Sequence, residues 1–173
     1  MYRVDKRLFE VDAIIKPSVD SFQESNDFDE NKHKLENVLA KESPNSKSTA
    51  RSNSLYLFTY LSDALKFSIN MSNSKVYEVK PAKESVCFHR GDMIWTELMY
   101  KFIKYDDFIQ KMAENYWNGV NTYKPCWELL LDKALVTSVI INDERERNEL
   151  KRSFYENSGN FEKIHFYTDN ISK

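Results

Sequence analysis

The chain has 173 residues, a formal net charge of −2, 41% hydrophobic residues and 30% charged residues. This composition predicts one globular domain over residues 1–173. Only three glycines are present, at 91, 119 and 159, against an ordinary share of about 7%. Without clustered glycines the chain cannot build a GxGxxG dinucleotide loop, a GxxxxGK[ST] phosphate loop or a GxSxG nucleophile elbow. A phosphate-bearing ligand must therefore be bound by side chains or by ordinary backbone.

The first half of the chain favours short strands separated by two helices. Residues 2–15 predict one or two short strands, and apolar residues at helical spacing predict a helix over 30–41. The polar segment 42–54 predicts a loop. Leu55–Tyr60 has the composition of a strand, and Ser62 is a candidate N-cap of the helix that follows.

The second half continues with strands and helices in no regular alternation. The pattern predicts a strand over 75–80, a helix from Gly91-Asp92 to Tyr105, a helix over 106–117, a strand over 136–141, a helix over 142–155 and a last strand over 164–167. The order of these elements predicts an α+β fold rather than a repeated βαβ pattern.

Metal binding and membrane insertion find little support in the sequence. Cys87, Cys126 and the three histidines show no CxxC or HxxxH spacing, so we expect reduced thiols and no structural metal. No apolar run approaches the roughly 20 residues of a membrane span, and no secretory signal is visible. We therefore expect a cytoplasmic protein with no membrane partner, and the net charge predicts no general affinity for nucleic acid.

Several residues with reactive side chains have ordinary structural explanations. His89 and His165 are candidate acid–base groups, but a histidine with no identifiable partner is usually a polar surface or core residue. Cys126 is a candidate nucleophile, although a buried structural thiol explains it better because the sequence supplies no base. The charges of residues 143–149 indicate a solvated helix face.

Three clusters are stronger candidates for a functional site. Arg3 lies in a predicted strand, where an inward-facing arginine is costly unless it meets an anion. A hydroxyl-rich segment, 51–54, leads directly into an apolar strand. Glu128 precedes Leu129–Leu131, where partial burial would perturb a carboxylate. The alternatives are an edge-strand charge, a loop-to-strand junction and a solubilising residue at a strand end.

The order and spacing of these clusters resemble small bacterial ADP-ribosyltransferase-like domains. The chain is similar to the rifampin ADP-ribosyltransferases and to a related uncharacterised family of short bacterial proteins. Short motifs within about residues 1–142 carry the resemblance. They are Tyr2-Arg3-Val4 through Ile14, Ala50 to Phe58 with Asp63-Ala64-Leu65, Lys75 to Pro81, His89-Arg90-Gly91-Asp92, Glu114 to Gly119, and Glu128 to Leu131 before Val136 to Val139.

The resemblance implies a split β-sheet core with flanking helices and an enzyme that transfers ADP-ribose from NAD, its substrate. Catalytic roles fall on Glu128, which would stabilise the positive charge that forms as nicotinamide leaves, and on Arg3, which would contact the NAD phosphates or ribose. NAD-binding roles fall on Arg3 and on the residues Arg51, Ser52, Ser54, Tyr56 and Tyr77, with one of the two tyrosines stacking on nicotinamide. We expect Arg3, Ser52 and Glu128 to converge.

The sequence departs from the arginine-modifying branch of that family, and it leaves other functions open. Cys126 stands where that branch carries a second Gln or Glu, so the acceptor of ADP-ribose, a protein, a nucleic acid or a small molecule, is unidentified. One alternative is a non-catalytic interaction protein on the same fold, motivated by the aromatic residues between 95 and 117. Another is an enzyme resembling RNA 2′-phosphotransferases, which would need more basic residues in its cleft.

Overall fold

The computed structural model describes residues 1–18, 30–44 and 51–157, and these contain seven strands and five helices. The strands are β1 (Tyr2–Asp5), β2 (Ile14–Ile15), β3 (Leu55–Phe58), β4 (Lys75–Pro81), β5 (Cys87–Asp92), β6 (Trp127–Leu131) and β7 (Ala134–Ile141). The helices are α1 (Glu30–Glu42), α2 (Leu61–Ile69), α3 (Ile94–Lys101), α4 (Asp106–Trp117) and α5 (Glu144–Asn157). The predicted α+β class is confirmed.

The strands form one sheet in the order β2-β7-β4-β1-β3-β6-β5, with antiparallel neighbours throughout. Strand β1 pairs with β4 through four residues, from Tyr2 to Asp5, but meets β3 only where Tyr2 lies opposite Phe58. The sheet is therefore narrowest between β1 and β3, in its middle. This single residue pair between β1 and β3 lies between the strand that carries the predicted arginine, β1, and the strand that carries the predicted glutamate, β6.

The helices pack on one face of the sheet, and a loop segment packs on the other. Because side chains alternate along a strand, Tyr56 and Phe58 of β3 contact the helical side, whereas Leu55 and Leu57 belong to the opposite core. Helices α1, α3 and α4 share one core cluster, and residues of α2 and α5 contribute to another. Phe9 and Ala13, between β1 and β2, pack against the opposite core.

Helix α4 has the predicted bounds, and its end is explained by the residues that follow it. Asn118 donates its N–H to the carbonyl of Glu114, and Gly119 adopts a positive φ of 66°. Glycine adopts this left-handed conformation without the steric cost of a Cβ atom. Helix α1 and the strands β3, β4 and β7 also fall where the apolar patterns predict them, apart from one or two residues at some ends.

The helix predicted from Gly91-Asp92 to Tyr105 is wrong at both ends, because α3 spans only Ile94–Lys101. Residues 87–92 form β5, and α3 begins only at Ile94. Asp92 is fully buried, and its carboxylate accepts bonds from the backbone N–H groups of Ile94, Thr122 and Cys126 and from the Thr122 hydroxyl. Met93, not Asp92, holds the N-cap position of α3, and Asp92 joins the first N–H of this helix to the segment before β6.

Two further expectations have different outcomes. Ser62 lies inside α2, whose N-cap position is Tyr60, because the helix begins at Leu61. The strand predicted over 164–167, with His165, lies outside the described residues, as does Gly159. Among the helices that the structure describes, none combines the length and the apolar character that crossing a membrane requires.

Candidate functional site

Glu128 lies inside β6, on the face covered by helices, and is 2% exposed. In register it stands opposite Phe58 on β3 and Gly91 on β5. Its Oε1 accepts two hydrogen bonds, from Arg51 Nη1 at 2.8 Å and from the Tyr116 hydroxyl at 2.7 Å. A buried carboxylate is tolerated when charged and polar donors surround it in this way.

Tyr116 reaches Glu128 because Gly91 leaves room for its ring. A Cβ atom on Gly91 would lie 2.5 Å from Cε2 of Tyr116, closer than any side chain can approach. The Tyr116 side chain is fully buried, and burial is the largest cause that raises its pKa well above its usual value. Its phenol therefore stays a hydrogen-bond donor to Glu128 across the physiological pH range.

Arg51 connects Glu128 to helix α1. It begins the turn 51–54, and its Nε and Nη2 lie 3.2 and 3.4 Å from the carboxylate oxygens of Glu36. The centre of its guanidinium lies 4.9 Å from the ring centroid of Tyr56 and 5.0 Å from that of Tyr116, within cation–π range. Burial opposes its charge, but Glu36, the two tyrosines and Glu128 outweigh burial and raise the Arg51 pKa. We call these five residues the Arg51 cluster.

Arg3 belongs to a second charged group, on the face of the sheet opposite to Glu128, because it pairs in register with Tyr77 of the opposite core. Asp5 accepts bonds from the guanidinium groups of Arg3, at 2.9 and 3.0 Å, and of Arg7, also at 2.9 and 3.0 Å. Burial would raise the Asp5 pKa, but the bond to Arg7 and the charge of Arg3 outweigh it and lower the pKa to about 2. Asp5, Arg3 and Arg7 are the Asp5 cluster.

The two clusters meet at Tyr56. Arg3 Nη1 donates to the Tyr56 carbonyl at 3.0 Å, just beyond the single residue pair that joins β1 to β3. The Tyr56 hydroxyl donates to the Arg51 carbonyl at 2.8 Å, and its ring contacts the Arg51 guanidinium. Contacts lead from Arg3 to the backbone of Tyr56, and from the Tyr56 side chain through Arg51 to Glu128. Arg3 and Glu128 nevertheless lie on opposite faces of the sheet, so the structure does not bring Arg3 together with Ser52 and Glu128 on one face as expected.

The predicted NAD-binding residues occupy unlike environments. Ser52 is exposed in the turn beside Arg51, and Ser54 is 5% exposed at the start of β3. Tyr77 is fully buried: its ring packs against Phe9, and its hydroxyl donates to the Arg7 carbonyl. Stacking of Tyr77 on a ligand would require the segment that carries Arg7 and Phe9 to move, whereas Tyr56 already contacts a cation.

His89 and Cys126 have structural surroundings. The His89 ring packs against Tyr116 and Trp117, and its Nε2–H donates to the Tyr116 carbonyl at 3.0 Å. Burial lowers the His89 pKa, so the ring is neutral near pH 7. Cys126 is 5% exposed, and burial followed by the nearby carboxylates raises its pKa. The expectation of a buried thiol is confirmed.

A further carboxylate lies on α3 next to Asp92. Burial, followed by repulsion from Asp92, raises the pKa of Glu97 to about 7. Glu97 is also among the charges that act on Cys126. In the residues that the structure describes, no group of three or more His, Cys, Asp or Glu side chains is arranged to bind a metal ion.

Sequence reasoning missed Glu36, Tyr116, Asp5 and Arg7 as members of the site. Tyr116 lies within the Glu114–Gly119 motif that carries part of the resemblance, which is the one local signal available for it. Glu36 and Glu128 are joined through Arg51, 15 and 77 residues away from them in the chain. Such contacts leave no local pattern.

Comparisons with known proteins assign no family to this chain. No protein-family model matches the sequence, and neither a curated protein nor a solved structure is significantly similar to it.

Proposed function

We propose that this chain is a bacterial, cytoplasmic NAD-dependent mono-ADP-ribosyltransferase. One observation supports the proposal: the buried glutamate of β6 pairs with Arg51, the first residue of the serine-containing turn before β3, and the neighbouring strand β1 carries the predicted arginine, Arg3, on the opposite face of the sheet. This is the residue set that the resemblance to ADP-ribosyltransferase-like domains implies.

The chemistry of ADP-ribose transfer requires a fixed anion beside a developing cation. The bond between C1′ of the ribose and the nicotinamide nitrogen breaks, its electron pair leaves with nicotinamide, and an acceptor nucleophile then bonds to C1′. The intermediate stage resembles an oxocarbenium ion, as in glycosidases. Glu128 supports this role because its carboxylate already faces a cation, Arg51, at 2.8 Å inside a buried site.

The anionic part of NAD requires fixed positive charge. The Asp5 cluster carries two arginines and one carboxylate, and Arg7 is its more exposed member, with 37% of its side chain accessible. Guanidinium groups suit phosphate because they donate two parallel hydrogen bonds. Arg3 would therefore contact the phosphates or the ribose of NAD.

The acceptor of ADP-ribose remains open in this proposal. Cys126, which stands where the arginine-modifying branch carries a second Gln or Glu, is buried and has a raised pKa. It supplies neither a carboxylate nor a thiolate to a guanidinium acceptor. Arginine is therefore not favoured over other nucleophiles of a protein, a nucleic acid or a small molecule.

The test is release of nicotinamide from labelled NAD, with and without cell lysate. We expect the wild-type chain to release nicotinamide and Glu128→Gln to lose most of that rate, by about 100-fold or more, as for loss of one charge-stabilising group. The matched control is Glu78→Gln, a half-buried strand glutamate that bonds to Ser138 instead. Folded wild-type protein with no nicotinamide release would contradict the proposal, and equal rates for both variants would remove Glu128 from it.

A specific observation favours the interaction protein as the second candidate. Tyr105 and Phe108 are each 61% exposed, and their ring centroids lie 6.2 Å apart where α3 leads into α4. Exposed aromatic residues of this kind are typical of protein interfaces. A chain that retains a partner through Phe108, and loses it in Phe108→Ser, without consuming NAD would support this function instead.

A further inference from the structure

Arg51 separates the two carboxylates that bind it. The exposed fraction of the side chain is 3% for Glu128, 10% for Arg51 and 20% for Glu36. Since the guanidinium bonds to both carboxylates, it lies between an inner glutamate on β6 and an outer glutamate on α1. Both hydrogen bonds to Glu128 Oε1 come from side chains of the Arg51 cluster, so this carboxylate oxygen already has two donors inside the protein.

The surroundings of the Arg51 guanidinium select for a flat cation. Two carboxylates lie within 2.8 to 3.4 Å of its nitrogen atoms, and two tyrosine rings lie within 5.0 Å of its centre. Without Arg51 the same volume would hold two carboxylates and no cation. Burying such a pair is strongly unfavourable, so a replacement must also be positively charged.

NAD carries one flat cation, the positively charged nicotinamide ring. We propose that Arg51 is an internal blocking group, whose guanidinium occupies the position that the nicotinamide ring takes when NAD binds, and which leaves Glu128 when NAD enters. This inference rests on the proposed function, and it explains how the NAD site would be kept closed before NAD binds. It also gives Arg51 a different role from the direct NAD contact that the resemblance implies.

The attachment of Arg51 allows this exchange without unfolding of the turn. The carbonyl of Arg51 accepts bonds from the Ser54 N–H at 3.2 Å and from the Tyr56 hydroxyl at 2.8 Å, so the backbone is fixed independently of the guanidinium. The four side-chain torsions of an arginine can move its guanidinium by several ångströms about a fixed backbone. Glu36 is the outer partner, so Arg51 can keep this ion pair after it releases Glu128.

The first experiment measures binding of methylguanidinium to Arg51→Ala by calorimetry. We expect the variant to bind this flat cation at least about tenfold more tightly than the wild type, whose site is filled, and to bind methylammonium, a compact cation, less tightly. Equal binding of methylguanidinium by both proteins would overturn the inference, because the space would then not be a cation site.

Arg51→Ala leaves the buried Glu128 and the half-buried Glu36 without their shared cation, which can destabilise the fold, so a second variant keeps the test decisive. In Arg51→Ala/Glu36→Gln one of these charges is removed, and we expect the folded protein to bind methylguanidinium. If either variant is less stable than the wild type, methylguanidinium should raise its unfolding temperature, while leaving that of the wild type unchanged. A variant that neither binds nor is stabilised by the probe contradicts the inference.

The second experiment separates this inference from the proposed function. We expect Arg51→Ala to show a KM for NAD several-fold lower than that of the wild type, and methylguanidinium to compete with NAD only in the variant. A raised KM, with methylguanidinium bound, would mean that Arg51 contacts NAD and does not block it. If no protein consumes NAD but the variant binds methylguanidinium, the proposed function fails and the flat-cation site stands without NAD as its ligand.

Discussion

The Asp5 cluster and the Arg51 cluster both pair charged side chains that are partly shielded from water, but they do so with opposite ratios of arginine to carboxylate. In the first, two arginines share one carboxylate, and in the second, two carboxylates share one arginine. The first therefore has one positive charge in excess and the second one negative charge in excess. Both touch Tyr56, the first through its carbonyl and the second through its ring and hydroxyl.

The difference shows how exposure decides where excess charge can stay. The excess positive charge lies near Arg7, whose side chain is 37% exposed and hydrated. The excess negative charge lies between side chains that are 3% and 20% exposed, where water screens it less. An anion would meet the first cluster easily, whereas the second is stable only while a cation occupies it.

The largest expected effect comes from removing the shared cation. Arg51→Met should lower the free energy of unfolding by roughly 3–5 kcal/mol, because it leaves the buried Glu128 and the half-buried Glu36 without their shared cation. Urea unfolding measures this loss. The control is Arg145→Met, whose arginine pairs with Glu149 in a bridge where the side chains are 85% and 60% exposed, and it should change the free energy of unfolding far less, because water screens an exposed pair. Similar losses in the two variants would show that Arg51 stabilises the fold no more than an exposed arginine does.

Glu97 sharpens the comparison because its neighbour is a carboxylate, Asp92, instead of an arginine. Its folded-state pKa of about 7 lies above its unfolded value, so its contribution to stability is present below about pH 4 and is lost as the pH rises to about 7. The loss is on the order of 3 kcal/mol. Glu97→Gln should therefore be more stable than the wild type at pH 8 and not at pH 4. Thermal unfolding at both pH values, with the exposed Glu149→Gln as control, tests this.

Asp5 should show the opposite dependence on pH. Its folded-state pKa of about 2 lies below the unfolded value, so its stabilisation is present above about pH 4 and is lost as the pH falls through about 2. The expected size is about 2 kcal/mol. In Asp5→Asn this pH-dependent contribution to the free energy of unfolding should be absent. Denaturant titrations between pH 2 and 5 measure it. If Asp5→Asn keeps the same acid sensitivity as the exposed Asp107→Asn, the pairing with Arg3 and Arg7 contributes nothing.

The smallest expected effect concerns the residue that joins the two clusters. Tyr56→Phe removes the hydroxyl that donates to the Arg51 carbonyl, but it leaves the ring and the backbone carbonyl that binds Arg3. We expect a loss of about 1 kcal/mol in unfolding free energy, the ordinary value of one hydrogen bond. Tyr60→Phe, at a tyrosine that is 53% exposed, is the control. A much larger loss would mean that the hydroxyl holds the Arg51 turn in place.

Much of the fold could be predicted because its signals are local. Apolar spacing predicted α4 with its observed bounds, and β-branched residues predicted most of β7. Strand β5 was missed because Gly91 and Asp92 resemble a helix start, although their roles depend on distant partners. Gly91 makes room for Tyr116, and Asp92 binds Thr122 and Cys126.

The candidate site could be predicted in part. Arg3, Arg51 and Glu128 were each recognisable as a charge beside apolar residues. Their pairing was not, because the sequence predicts neither the register that sets Glu128 opposite Gly91 nor the approach of α1 that brings Glu36 to Arg51. Tyr77, predicted as a ligand contact, is part of the core because Phe9 packs on its ring.

The sequence by itself determined the α+β class, most of the helices and strands, and the absence of glycine-built phosphate loops, since composition and periodicity are properties of neighbouring residues. Only the tertiary structure decided which charges share a partner. A buried ion pair forms where strand register and helix packing bring distant side chains within about 3 Å. In this protein they unite Arg51 with two carboxylates and Asp5 with two arginines.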